Sequence, residues 1–158
     1  MHDSDENTNT PSMQTARSEL YEAGIPVAYI DVVFANDNPL YLARMILELH
    51  QLGIIRQDNQ AAFLTHANFL IVCQSLDYLR QANMLTRQNF DVVIAHNHPH
   101  FIGFALAILQ SSEILNQANV DALISTLEPI ALFSSIFNLQ LAGIFNQRQF
   151  TNEVQFYS

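Results

Sequence analysis

The chain has 158 residues and a formal net charge of −9, and it is 49% apolar against 13% charged. That describes one foldable domain able to bury most of its apolar surface, not a disordered chain. Its six basic residues, all arginine, face fifteen acids, a balance that repels phosphate backbones and anionic headgroups and so argues against nucleic acid as a partner.

Residues 1–9 open the chain with Asp3, Asp5 and Glu6 among polar neighbours. They read as a disordered acidic tail, neither a secretory signal nor an arginine-rich transit peptide. The remainder, 10–158, reads as a single helical-repeat domain. Leu42, Val72, Ile102 and Leu132 stand thirty residues apart, as do Ile46, Leu76, Leu106 and Ile136, and Leu49, Leu79, Leu109 and Leu139. Pro39, Pro99 and Pro129 fall in one further column, with Phe69 in the vacant position. A more degenerate copy precedes them: Leu20, Gly24, Ile25 and Phe34 match Leu49, Gly53, Ile54 and Phe63 at an offset of 29. Five units follow, at about 10–37, 38–67, 68–97, 98–127 and 128–158.

Each unit reads as two helices. The first starts at the proline, which suits the first helical position because its missing N–H would be unpaired anyway. Apolar residues then recur at helical spacing, as in Leu42, Ile46 and Leu49. Gly53 and Gly143 punctuate the end of that helix. Thr86, Asn116 and Asn146 are the expected N-caps of the second helices, and Asn146 with Gln149 has capping-box spacing. In the third unit the second helix is expected from Arg87 to about His96. A lone hairpin cannot bury its apolar stripe, but stacked copies can. The expected fold is therefore all-α: tandem helical hairpins stacked as a small α-solenoid or compact helical array. Cys73 shares a column with Ala43, Gly103 and Phe133, expected to face inward, so the thiol reads as a small buried hydrophobe. With one cysteine in the chain, no internal disulfide can form.

The segment His96-Asn97-His98-Pro99-His100 invites a metal reading, with Asp91 as a further ligand. His96 and His100 have the i, i+4 spacing of helical zinc ligands, but Pro99 and the joint between units interrupt the shared face. The expectation is a repeat joint, with His66 and His96 in last helical turns where an imidazolium would meet the negative end of the helix dipole. Metal binding by His96, His98 and His100 stays as the alternative. No P-loop, GxGxxG or GxSxG motif is present, and nothing asks for a cofactor. The expectation is no enzyme, no cofactor and no membrane span; the longest apolar run, Phe101 to Leu109, falls far short of the roughly 20 residues a span needs.

What varies between units is the i, i+3, i+7 line of the first helix: Tyr41, Arg44 and Glu48; Ile71, Gln74 and Tyr78; Phe101, Phe104 and Ile108; Ala131, Ser134 and Asn138. A scaffold with constant core columns and one varying line reads as a recognition surface. The expected partner-binding residues are Tyr41, Arg44, Tyr78, Phe101, Phe104 and Ile108. The alternative is that this line packs inside the array.

The blocks Leu85-Thr86-Arg87-Gln88-Asn89-Phe90-Asp91, Asn97-His98-Pro99 and Leu139-Gln140-Leu141-Ala142-Gly143-Ile144 resemble the short helical repeats of Legionella- and Coxiella-type bacterial proteins, many of them candidate type IV secretion effectors. The resemblance covers nearly all of residues 38–150. It implies a bacterial protein, cytoplasmic or delivered into a host cell, that acts through protein contacts. Arg56 and Asp58 depart from the pattern, as does Glu113 where a glycine is expected. The function expected is a non-catalytic protein–protein interaction module. The alternatives are the metal-binding protein above and a self-assembling repeat block that is homo-oligomeric through Phe101 and Phe104.

Overall fold

The computed structural model describes residues 11–158, so the expected tail at 1–9 lies outside the described residues. Among the described residues there are ten α-helices and no strand, an all-α fold. No helix among them is long and apolar enough to cross a membrane. The chain divides into two compact units, Met1–Phe69 and Leu70–Ser158.

In the first unit lie α1 (Pro11–Glu22), α2 (Val27–Phe34), α3 (Pro39–Gln51) and α4 (Gln60–Leu64). Leu20, Ile30, Leu42, Ile46, Leu49 and Phe63 are buried there. Arg17 on α1 pairs with Asp31 on α2 and lies 5.0 Å from the Phe34 ring centroid, so one side chain ties the two helices together. The α4 helix has only five residues, whereas α6 has nine. Arg56 stands where Thr86 caps α6; with no capping oxygen there, residues 57–59 stay a turn, closed by the Gln60 N–H to the Arg56 carbonyl at 2.9 Å, and the helix begins only at Gln60.

The second unit holds α5 (Phe69–Gln81, its first residue belonging to the first unit), α6 (Arg87–Ala95), α7 (Pro99–Ser111), α8 (Gln117–Ser125), α9 (Pro129–Leu141) and α10 (Gln147–Phe156). The α7 helix packs on α6, α8 and α9, and α9 packs on α10. Each of α3, α5, α7 and α9 is thirteen residues long, and they start at 39, 69, 99 and 129. The residues before the prolines, Asn38, His98 and Glu128, have nearly the same non-helical backbone, with φ between −131° and −126° and ψ between 63° and 72°. This is the restriction proline imposes on its predecessor.

The expected N-caps form. The side chains of Thr86, Asn116 and Asn146 accept from the backbone N–H groups of Asn89, Asn119 and Gln149. Phe90, Val120 and Phe150, one residue further on, are buried. Cys73, Ala43 and Gly103 are buried as their column suggested, but Phe133 is half-buried, because its ring turns out towards Phe104 and Phe137. Gly103 of α7 lies against α5: a Cβ there would sit 2.7 Å from Ile71 Cδ1 and 3.2 Å from Ser75 Oγ.

Every first helix of a hairpin ends in a left-handed residue. Gly24, Gly53, Asn83, Glu113 and Gly143 have φ of 89°, 73°, 58°, 60° and 73°. Around Glu113, its own N–H reaches Gln110 O at 3.0 Å and the Ile114 N–H reaches Leu109 O at 2.9 Å, the paired bonds of a Schellman turn. Glycine suits this conformation; glutamate is strained in it. Glu113→Gly is expected to raise stability by about 0.5–1 kcal/mol, since ~1–2 kcal/mol of left-handed strain outweighs ~0.5–1 kcal/mol of added chain entropy. A rise in the thermal midpoint of a few degrees, measured by circular dichroism, checks it.

Candidate functional site

Two arrangements in the second unit decide which surface is free. The first is an amide ladder in which buried asparagines pair with exposed glutamines. Asn89 and Asn119 are 2% and 5% exposed. Asn89 Nδ2 donates to the Met84 carbonyl at 2.8 Å and to Gln117 Oε1 at 2.9 Å, while Gln117 Nε2 donates back to Asn89 Oδ1 at 3.0 Å. Asn119 repeats the set with the Ile114 carbonyl and with Gln147, at 2.6, 2.8 and 3.0 Å. Each asparagine thus closes its own hairpin turn and grips the next hairpin with a two-bond amide pair. Fully satisfied, such a network fixes register, whereas a half-satisfied one would be costly.

The second is stacking. Ile71 and Ser75 of α5 meet Gly103 of α7. The corresponding residues of α7 are Phe101 and Ala105, and one turn on is Ile108; they are 3%, 0% and 5% exposed. The line expected to recognise a partner therefore splits: Phe101 and Ile108 lie with Ala105 on a stacking face and are corrected from partner-binding to core residues, whereas Phe104 stays exposed. On α9 the positions matching Phe101, Ala105 and Ile108 are Ala131, Ser135 and Asn138, small or polar, and Ser135 Oγ lies 3.1 Å from the Tyr157 hydroxyl.

Of the other expected partner residues, Tyr41 and Tyr78 are half-buried, while Arg44 and Phe104 are exposed. Arg44 lines a groove of about 620 Å³ between α1 and α3, together with Glu19 and Glu48. Phe104 is 49% exposed and belongs to a different line of its helix, the outward one. Successive outward positions are His100 and Phe104 on α7 and Ile130, Phe137 and Leu141 on α9. The α9 members are 64%, 41% and 70% exposed. Phe133 joins them from the side: its ring centroid lies 6.0 Å from Phe104 and 5.6 Å from Phe137. The His100 ring sits 6.0 Å from Phe104. The result is one continuous aromatic stripe, which reading the i, i+3, i+7 line alone misses except at Phe104. On α5 the outward line turns polar, with Gln74 and Asp77 after Leu70.

The histidine segment forms a backbone joint. The α6 helix ends at Ala95, and His96 is extended, at φ −68° and ψ 136°. Its Nδ1 accepts the His98 N–H at 2.9 Å. His66 Nδ1 does the same for the Asn68 N–H at 3.0 Å, and Thr126 Oγ1 for the Glu128 N–H at 3.3 Å. One side-chain acceptor thus pins the turn at each of these three joints, and threonine can replace histidine in the role. An Nδ1 acceptor requires a neutral ring protonated at Nε2, so at His96 the expected imidazolium on a helix dipole is corrected to a neutral imidazole. Burial, then the adjacent His98 ring, pushes His96 below the ordinary histidine range. Among the described residues no three His, Cys, Asp or Glu side chains gather as metal ligands.

A depressed folded-state pKa means that the unfolded chain binds more protons. The joint's contribution is complete above about pH 6.5 and is lost as pH falls below it towards the folded value. His96→Thr keeps an acceptor and removes the titration. Wild type is therefore expected to lose stability relative to His96→Thr between pH 7 and 5, in urea titrations at each pH. A constant difference would contradict this role.

Cys73 is fully buried, and burial, then Asp77, pushes its thiol far above the usual range, so it offers no thiolate nucleophile at neutral pH. No protein-family model matches the chain, and no curated protein or solved structure matches it either.

Proposed function

We propose that this chain is a non-catalytic protein–protein interaction module, in which tandem two-helix hairpins stack as an α-solenoid and the outward line of the first helices meets the partner. The observation that carries the reading is the stripe of exposed Phe104, Ile130, Phe137 and Leu141 joined by the half-buried Phe133. Large side chains held half-out of a well-packed scaffold are what interaction hot spots use. Of the large hydrophobics exposed among the described residues, half fall at Leu127 or beyond, so the apolar surface is concentrated rather than scattered. The likeness to effector repeats adds a host-cell protein as the class of partner.

The test is an affinity capture from host-cell lysate with wild type beside Phe104→Gln/Phe137→Gln. Both positions are exposed and glutamine is a good helix former, so the variant should keep its helicity and thermal midpoint. The expected result is a protein retained by wild type and lost from the variant. Identical captures from both would overturn the assignment of the surface.

A further inference from the structure

We infer that the α7–α9 stripe is a docking site for an amphipathic helix that is apolar on the face it buries and basic at its ends. The inference rests on the interaction reading above and adds the chemistry of the partner.

Three observations carry it. First, the site offers no backbone to pair with. The stripe is built from two regular helices, whose N–H and C=O groups are engaged along their own axes, so an extended peptide would gain no ladder bonds here. A single peptide segment that excludes water must satisfy its own backbone, and a helix is the form that does so within one segment. Second, the stripe is free of acids and arginines: α7 reads PHFIGFALAILQS and α9 reads PIALFSSIFNLQL. Third, its ends are acidic. Glu128 immediately precedes α9 and Glu113 follows α7 by two residues, and both are exposed. Across 70–158 six acids face three arginines, and two of those, Arg80 and Arg87, are paired with Asp77 and Asp91.

The long axis of the site follows from α7: thirteen residues at ~1.5 Å each give about 20 Å, which matches roughly 13–14 residues of a partner helix. Such a helix would lay apolar residues at i, i+3/i+4 and i+7 over the phenyl rings and bring lysine or arginine to Glu113 and Glu128. A second copy of this chain fits less well, because it would bring its own net charge of −9 and place acids against acids. Residues 1–10 are no better suited, since they carry three acids and Met1 as their sole large apolar side chain.

The test is selection from a random 14-residue peptide display library on the full chain, with counter-selection on Phe104→Gln/Phe137→Gln. Expected are peptides with helical apolar spacing and an excess of lysine and arginine at the ends. The synthesised winner should bind about tenfold more weakly to Phe137→Gln. It should lose severalfold with Glu113→Gln/Glu128→Gln and weaken further as salt rises. Apolar helices selected without a basic bias, or affinity unmoved by the glutamate changes, would overturn the inference and leave the interaction reading intact. So would a concentration-dependent dimer in sedimentation that Phe137→Gln dissolves, because the occupant would then be a second copy. Winners that bind wild type and Phe104→Gln/Phe137→Gln equally would overturn both.

Discussion

Asn119→Ala is expected to cost about 3 kcal/mol, more than any cap or surface change in this chain. The substitution removes a side chain that is 5% exposed and makes three hydrogen bonds. It leaves the Ile114 carbonyl without its 2.6 Å donor and the Gln147 amide without either bond to Asn119. The orphaned carbonyl costs about 1–3 kcal/mol, and each of the two part-buried bonds to the exposed Gln147 adds about 0.5–1.5 kcal/mol. By contrast Asn116→Ala loses one N-cap bond, at about 1 kcal/mol. Urea titration of the two variants separates these outcomes. A double-mutant cycle with Gln147→Leu then isolates the amide pair. Asn119→Leu/Gln147→Leu is expected to be less destabilised than the sum of the single changes, because two apolar groups leave fewer polar atoms stranded. Strict additivity would mean that the pair does not join the hairpins.

Gly103→Leu should cost about 2–3 kcal/mol by overpacking. The first atom of any side chain there already collides with Ile71 Cδ1 at 2.7 Å and Cγ1 at 2.9 Å. Gly103→Ala should come out near neutral, because the ~1 kcal/mol gained in helix propensity is offset by displacement of the Ile71 side chain. Ile71→Ala in the Gly103→Leu background is expected to recover part of the loss, and a recovery that appears only in combination identifies the contact. If Gly103→Leu unfolds at the wild-type midpoint, α5 and α7 do not approach as described.

The thirty-residue apolar columns, the proline starts, the glycine turns and the asparagine and threonine caps were all legible in the sequence, because each follows from local backbone rules. The left-handed Glu113 was legible as a departure: the turn keeps its geometry whatever residue occupies it. Periodicity shows which residues share a helix face but not which face meets a neighbour. Phe101 and Ile108 therefore looked like surface, and Phe137, on the outward line, was not singled out. The ladder was half visible. Asn59, Asn89 and Asn119 recur at thirty residues, but they form a polar column, and the glutamine partners lie at an offset of 28, which only stacked hairpins bring within reach. His96 was legible as part of a joint but not in its charge, since the acceptor role at Nδ1 depends on the fold of the turn.

The most direct measurement is the calorimetric affinity of a captured partner for wild type, for Phe137→Gln and for Asn138→Ala on the neighbouring line of the same helix. The expected result is at least about a tenfold loss for Phe137→Gln with Asn138→Ala near wild type. Equal affinity for all three, or a loss confined to Asn138→Ala, would contradict binding through the outward stripe.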